Sequence, residues 1–146
     1  MGRIFLSKED FNKLKLKVQE NVGNEIVFSS EDDLFNRKVI EKLNITILLL
    51  KVSGRKDFFK QRDAGFNEVM ARVVFKKGIL IGIDLDELIL SKDKSRIFSR
   101  VKQNIELCKK FKIKMKFIGQ KVSRDSKGLK SLGLVLGMPT WMTKCL

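Results

Sequence analysis

The chain has 146 residues, 43% of them hydrophobic and 33% charged, which excludes a disordered chain and suffices for one domain with a real core. Lys and Arg number 31 against 17 Asp and Glu, so the formal net charge is +14 and the surface attracts polyanions. Histidine is absent, which removes imidazole bases, His-activated nucleophiles and His-based metal sites together.

Arg3–Leu6 predicts a short strand. Ser7 reads as an N-cap with Asp10 in a box-like position, and Phe11, Leu14 and Val18 follow at helical spacing. Gly23-Asn24 breaks that helix, and residues 25–29 predict a strand. Ser30 reads as the cap of a second helix reaching Leu43, with Leu34, Phe35, Val39 and Ile40 on one face. Residues 45–52 form a β-branched and leucine run, expected to be a strand buried on both sides. A polar stretch, 53–63, carries Arg55, Lys56, Lys60 and Arg62 and leads into a third helix over 65–77, ended by Gly78. Residues 79–83 predict a strand and 84–94 a loop or helical turn. Ser95 reads as the cap of a fourth helix with Ile97, Val101, Ile105 and Cys108 on its face; Lys109, Lys110 and Lys112 crowd its last turn, where cations suit the dipole. Met115–Ile118 predicts another strand, 121–127 a basic loop, and 129–136 a short helix that Gly137 and Pro139 end.

The alternation βαβαβαβαβα implies parallel strands joined by right-handed crossovers in a single α/β domain spanning 1–146. A closed eight-stranded barrel needs about 250 residues, so an open or partial barrel or a small doubly wound sheet fits the length better. No apolar run approaches the ~20 residues of a membrane span. Cys108 and Cys145 lie far apart and read as free thiols.

In α/β folds ligands meet the loops beyond the strands' carboxyl ends. Two such loops are basic. Convergence of Arg55, Lys56, Lys60 and Arg62 with Lys121, Arg124 and Lys127 would make a phosphate-binding rim; otherwise these are solvated loops. Gly65 would admit a close backbone approach at a helix start, or serve as a hinge. Asp63 reads as an N-cap. Asp84-Leu85-Asp86-Glu87 reads as a capping Asp84 and an exposed Glu87 rather than a Mg²⁺ site. Phe58 and Phe59 could stack on bases or pin the loop to the core, and Trp141 reads as an interface or core anchor.

The segment Gln61-Arg62-Asp63-Ala64-Gly65-Phe66-Asn67-Glu68-Val69-Met70-Ala71-Arg72 resembles a signature of the ribonuclease P 30-kilodalton protein family, called protein component 3 in archaea. That signature runs Arg-Lys-Asp-x-Gly-(Ile/Leu)-(Asp/Asn)-x-Val-Leu-Ala-(Lys/Arg). Arg62, Asp63, Gly65, Phe66, Asn67, Val69, Met70, Ala71 and Arg72 match it in identity or kind, whereas Gln61 replaces its first basic residue and Glu68 stands where histidine is frequent. Ser131-Leu132-Gly133-Leu134-Val135-Leu136-Gly137-Met138 resembles the family's helix after the last basic loop, and 96–111 resembles the helix between them.

The resemblance covers about 25–139 and implies part of a TIM-like barrel. It implies a non-catalytic, RNA-binding subunit of a ribonucleoprotein endonuclease, a hydrolase that removes 5′ leaders from precursor tRNA and whose catalyst is RNA. The expected partners are that RNA, precursor tRNA and a small α/β protein subunit, in a dimer or heterotetramer. No cofactor is expected on the protein, Mg²⁺ being carried by the RNA. The setting would be an archaeal cytoplasm, or a nucleus in a eukaryote, with no membrane. Two other readings stand beside it: a metal-dependent phosphoesterase-like barrel with Asp63, Asp84 and Asp86 as ligands, and a protein-interaction module docking through 132–142.

Overall fold

The computed structural model describes residues 2–55, 65–144 and 146. In chain order the elements are β1 (Arg3–Leu6), α1 (Phe11–Glu20), β2 (Glu25–Phe28), α2 (Asp33–Lys42), β3 (Ile47–Leu50), α3 (Glu68–Lys77), β4 (Leu80–Asp84), α4 (Leu85–Leu90), α5 (Lys94–Lys110), β5 (Met115–Ile118), α6 (Ser126–Val135) and α7 (Thr140–Thr143). The five strands form one parallel sheet in the order β1-β2-β3-β4-β5. A doubly wound sheet reverses its strand order at a switch point; this one never does. Each crossover advances one strand in the same direction, the winding of a barrel.

The side chains divide accordingly. Ile26, Phe28, Leu48, Leu50, Ile81, Ile83, Met115 and Phe117 pack with the buried faces of the helices. The opposite sheet face makes its own cluster of Val27, Ile47, Leu49 and Ile118, a barrel-interior set built from strands alone. Alternation along a strand sends neighbours to opposite faces. β3 therefore needs apolar residues throughout, and all four of its residues are buried.

The interior face curls tightly. A Cβ on Gly82 would lie 3.0 Å from both Ile47 Cγ2 and Leu49 Cδ1 and 3.3 Å from Ile118 Cγ1. Flanking side chains thus crowd a strand position so closely that a side chain there would have to push them aside by a few tenths of an ångström. Glu25 of β2 binds its register partner Arg3 at 2.9 Å and also reaches Lys116 of β5 at 3.6 Å. A flat sheet would put β2 and β5 about 14 Å apart, so that ion pair spans a concave surface. β1 and β5 each have a strand neighbour on one side only among the described residues. The architecture is a partial TIM-like barrel.

The helix starts differ from those expected. Asp10 rather than Ser7 caps α1, accepting from Lys13 N at 3.4 Å. Asp32 rather than Ser30 caps α2, accepting from Leu34 N and Phe35 N, while Ser30 is buried in hydrogen bonds with Asn36. α5 begins at Lys94 after Asp93, not behind a Ser95 cap. α3 begins at Glu68 rather than Gly65, because Asn67 turns its side chain onto Met70 N at 2.9 Å. α6 begins earlier than expected, at Ser126, capped by Asp125 through Gly128 N at 2.7 Å. The stretch 84–94 holds a true helix, α4, capped by Asp84.

Candidate nucleic-acid interface

Because every strand runs the same way, the loops after β3 and β5 leave from the same edge of the sheet, on either side of β4. What joins them is the acidic turn at the end of β4. Asp84 is buried; its Oδ1 accepts from Asp86 N at 3.0 Å and Glu87 N at 3.3 Å, and its Oδ2 accepts from Lys51 Nζ. Glu87 Oε2 accepts from two successive amides of the loop after β3, Val52 N and Ser53 N, each at 3.0 Å. Asp86 does the same for the loop after β5, accepting from Gln120 N at 3.1 Å, Lys121 N at 3.1 Å and Val122 N at 2.9 Å. One turn thus fastens both basic loops by backbone groups that would otherwise lack partners.

The two carboxyls sit in different electrostatic surroundings. Burial is the largest influence on Glu87 and lifts it above the ordinary carboxylate range, with Asp84 adding to the rise against the bonds from Val52 and Ser53. For Asp86 desolvation also pushes upward, but the amides of Val122, Lys121 and Gln120 and the charge of Lys121 together outweigh it, and its carboxyl stays below the usual range.

Lys121, Arg124 and Lys127 are all exposed on the loop after β5 and the first turn of α6, as a cationic rim requires. Among the described residues Arg124 makes only a local bond, Nη1 donating to Ser123 O at 2.8 Å. Arg55 behaves otherwise. Its guanidinium forks onto Asp33, with Nη1 and Nη2 each 2.9 Å from a carboxylate oxygen, and Nε donates to Lys51 O. Only 9% of that side chain is exposed, so Arg55 serves the loop's own structure rather than the rim. Gly65 receives it: at φ +78° a Cβ there would lie 2.6 Å from Arg55 Nη2. The close approach foreseen at Gly65 is therefore by an internal guanidinium. Lys56, Lys60, Arg62, Asp63, Phe58 and Phe59 lie outside the described residues.

Sequence reasoning missed Arg100, Asp86 and Glu87 as builders of this edge. Arg100 is buried on α5 and donates to Val52 O at 2.8 Å and to Arg55 O, holding the loop after β3 from beneath. The usable signal was its place on the apolar stripe with Ile97, Val101 and Asn104, where a solvated arginine does not belong. Glu87, expected to be exposed, is half-buried. Asp84 and Asp86 spend their oxygens on amides and Lys51. Among the described residues no group of three or more His, Cys, Asp or Glu could hold a metal ion, and no helix is long and apolar enough to cross a membrane.

No protein-family model matches the chain. Among solved structures it is similar to a chain in the cryo-EM structure of archaeal ribonuclease P with mature tRNA. That match has 22% identity and a TM-score of 0.79, covering 97% of this chain and 62% of that one. It is also similar to the tetrameric deoxyribose phosphate aldolase of Aeropyrum pernix, with 16% identity and a TM-score of 0.53, covering 94% of this chain and 59% of that one. The chain therefore spans about three fifths of the length of either neighbour. At such identities the likeness establishes the fold these proteins share.

Proposed function

We propose that this chain is an RNA-binding protein subunit of ribonuclease P that supports the catalytic RNA in maturing the 5′ end of precursor tRNA and performs no chemistry itself. The observation carrying this reading is the acidic turn at the end of β4, which ties the two basic loops to one edge of the barrel. Likeness to a chain of an archaeal ribonuclease P over nearly the whole of this chain supports it independently.

Lys121, Arg124 and Lys127 would lie against backbone phosphates, with Lys56, Lys60 and Arg62 as further candidates. Lys127 supports this assignment. It stands exposed in the first turn of α6, where a cation opposes the helix dipole; a phosphate beside it would offset that charge. Clustered cations screen phosphate repulsion, so the RNA would keep its compact, Mg²⁺-loaded shape at lower Mg²⁺. A small α/β protein subunit would complete the assembly, as a dimer or heterotetramer.

Reconstitution tests the reading. Adding the chain to its cognate RNA should raise precursor-tRNA cleavage at low Mg²⁺, whereas the protein alone should cut nothing. Replacing Arg124 or Lys127 by Ala should weaken RNA binding and lower the slope of log K against log salt by about one unit each. Unchanged slopes for both would remove them from the interface.

A further inference from the structure

The opposite end of the molecule, where β4 and β5 begin, holds a cleft that the rim does not account for. It measures about 320 Å³ and is lined by Phe75, Gly78, Leu80, Lys112 and Lys114 among others. Phe75, in the last turn of α3, is 58% exposed, a large ring left in water. Gly78 ends that helix at φ +70°, and a Cβ there would meet nothing within 4 Å, so the surface beside the ring is open. Lys112 adopts the left-handed conformation, φ 58°, at the turn after α5, and is exposed like Lys114 and Lys76. None of these three lysines is in an ion pair among the described residues, whereas Lys110 of the same tract is held by Glu68 at 2.7 Å.

From this arrangement we infer a second RNA site, for a single-stranded segment whose base stacks on Phe75 while the flanking phosphates meet Lys112 and Lys114. An open aromatic face beside unpaired cations is what single-stranded RNA uses: the ring takes any base by its π-face and the ammonium groups follow the backbone. A purely apolar partner would leave these lysines desolvated without partners. A folded polynucleotide could then touch the rim and send an unpaired strand to the far end. The inference rests on the RNA-binding reading above but on different residues.

The test is fluorescence anisotropy of the full chain with a labelled single-stranded oligouridylate, titrated over salt. Phe75→Ala should weaken binding about tenfold with little change in salt slope. The double variant Lys112→Ala/Lys114→Ala should lower the slope by about 1.4. Circular dichroism verifies that each variant folds, as expected for exposed positions. Arg124→Ala/Lys127→Ala should instead lose affinity chiefly for structured RNA and retain the oligouridylate, so failure of the rim leaves the Phe75 result standing. Wild-type affinity and slope in both far-end variants would overturn the second site. So would unchanged RNA binding accompanied by loss of self-association in sedimentation, which would make this face a contact between proteins.

Discussion

Asp86→Ala separates a positioning role from a purely electrostatic one. The carboxylate accepts from three consecutive amides, those of Gln120, Lys121 and Val122, at 2.9 to 3.2 Å. Truncation strands all three donors at once. Water can reach part of the turn, so the loss should be about 2 kcal/mol, the lower part of the range for three hydrogen bonds. In a chain of this length that lowers Tm by about 7 °C. The effect on RNA binding decides between mechanisms. Removing an anion beside Lys121 should tighten RNA binding if charge alone matters. If the carboxylate instead holds the loop in shape, affinity should fall severalfold despite the extra net positive charge. Thermal melts and anisotropy with structured RNA read both quantities. A variant that melts like the parent and binds RNA more tightly would refute the clamp. The pH dependence adds a check. The Asp86 carboxyl is depressed below the ordinary 3.8 of an aspartate, so its stabilisation is present above that pH and is lost as pH falls through the folded value. Asp86→Ala should abolish that acid-side loss.

Glu87 should behave in the opposite sense. Its folded carboxyl is raised above 4.5, so the folded state holds the proton more readily than the unfolded one, and stability declines as pH rises from 4.5 through the folded value. Glu87→Gln should remove this decline and melt no lower than the parent at pH 7, whereas Glu87→Ala, leaving Val52 N and Ser53 N without acceptors, should cost about 1–2 kcal/mol; equal melting of the two variants would count against the contact. Gly65→Ala forces a left-handed alanine into the Arg55 guanidinium and should destabilise by about 1–2 kcal/mol from the backbone alone; an unchanged urea midpoint would contradict that packing. Cys108 is fully buried and its thiol pKa is pushed well above normal by desolvation, so iodoacetamide should label it only in denaturant, as read by peptide mapping.

The sheet was legible because its signals are local. The all-apolar run through β3, the period changes on either side and the stops at Gly78 and Pro139 each arise within a few residues. The misplaced caps show the limit of such signals. Ser7, Ser30 and Ser95 each have an aspartate two or three residues away, and serine and aspartate cap equally well. The tie is settled by where the chain turns into its helix. Much of the site was hidden for a different reason. Asp86 acts on amides 34 to 36 residues away, Glu87 on amides 34 and 35 away, and Asp33 claims Arg55 across 22. No period or spacing records such a pairing. A basic residue in a polar loop reads alike whether it faces a phosphate or a carboxylate from the neighbouring βα unit.

The open flanks of the curled sheet also bear on how the protein behaves in solution. β1 and β5 each present a row of peptide groups with no ladder partner among the described residues, and such rows template stacking of one copy on another. With a net charge of +14, mutual repulsion between copies opposes that contact. Molar salt shrinks the range of repulsion to about 3 Å. A wash at molar salt should therefore drive this protein toward aggregation, and a purification that includes one is best run dilute.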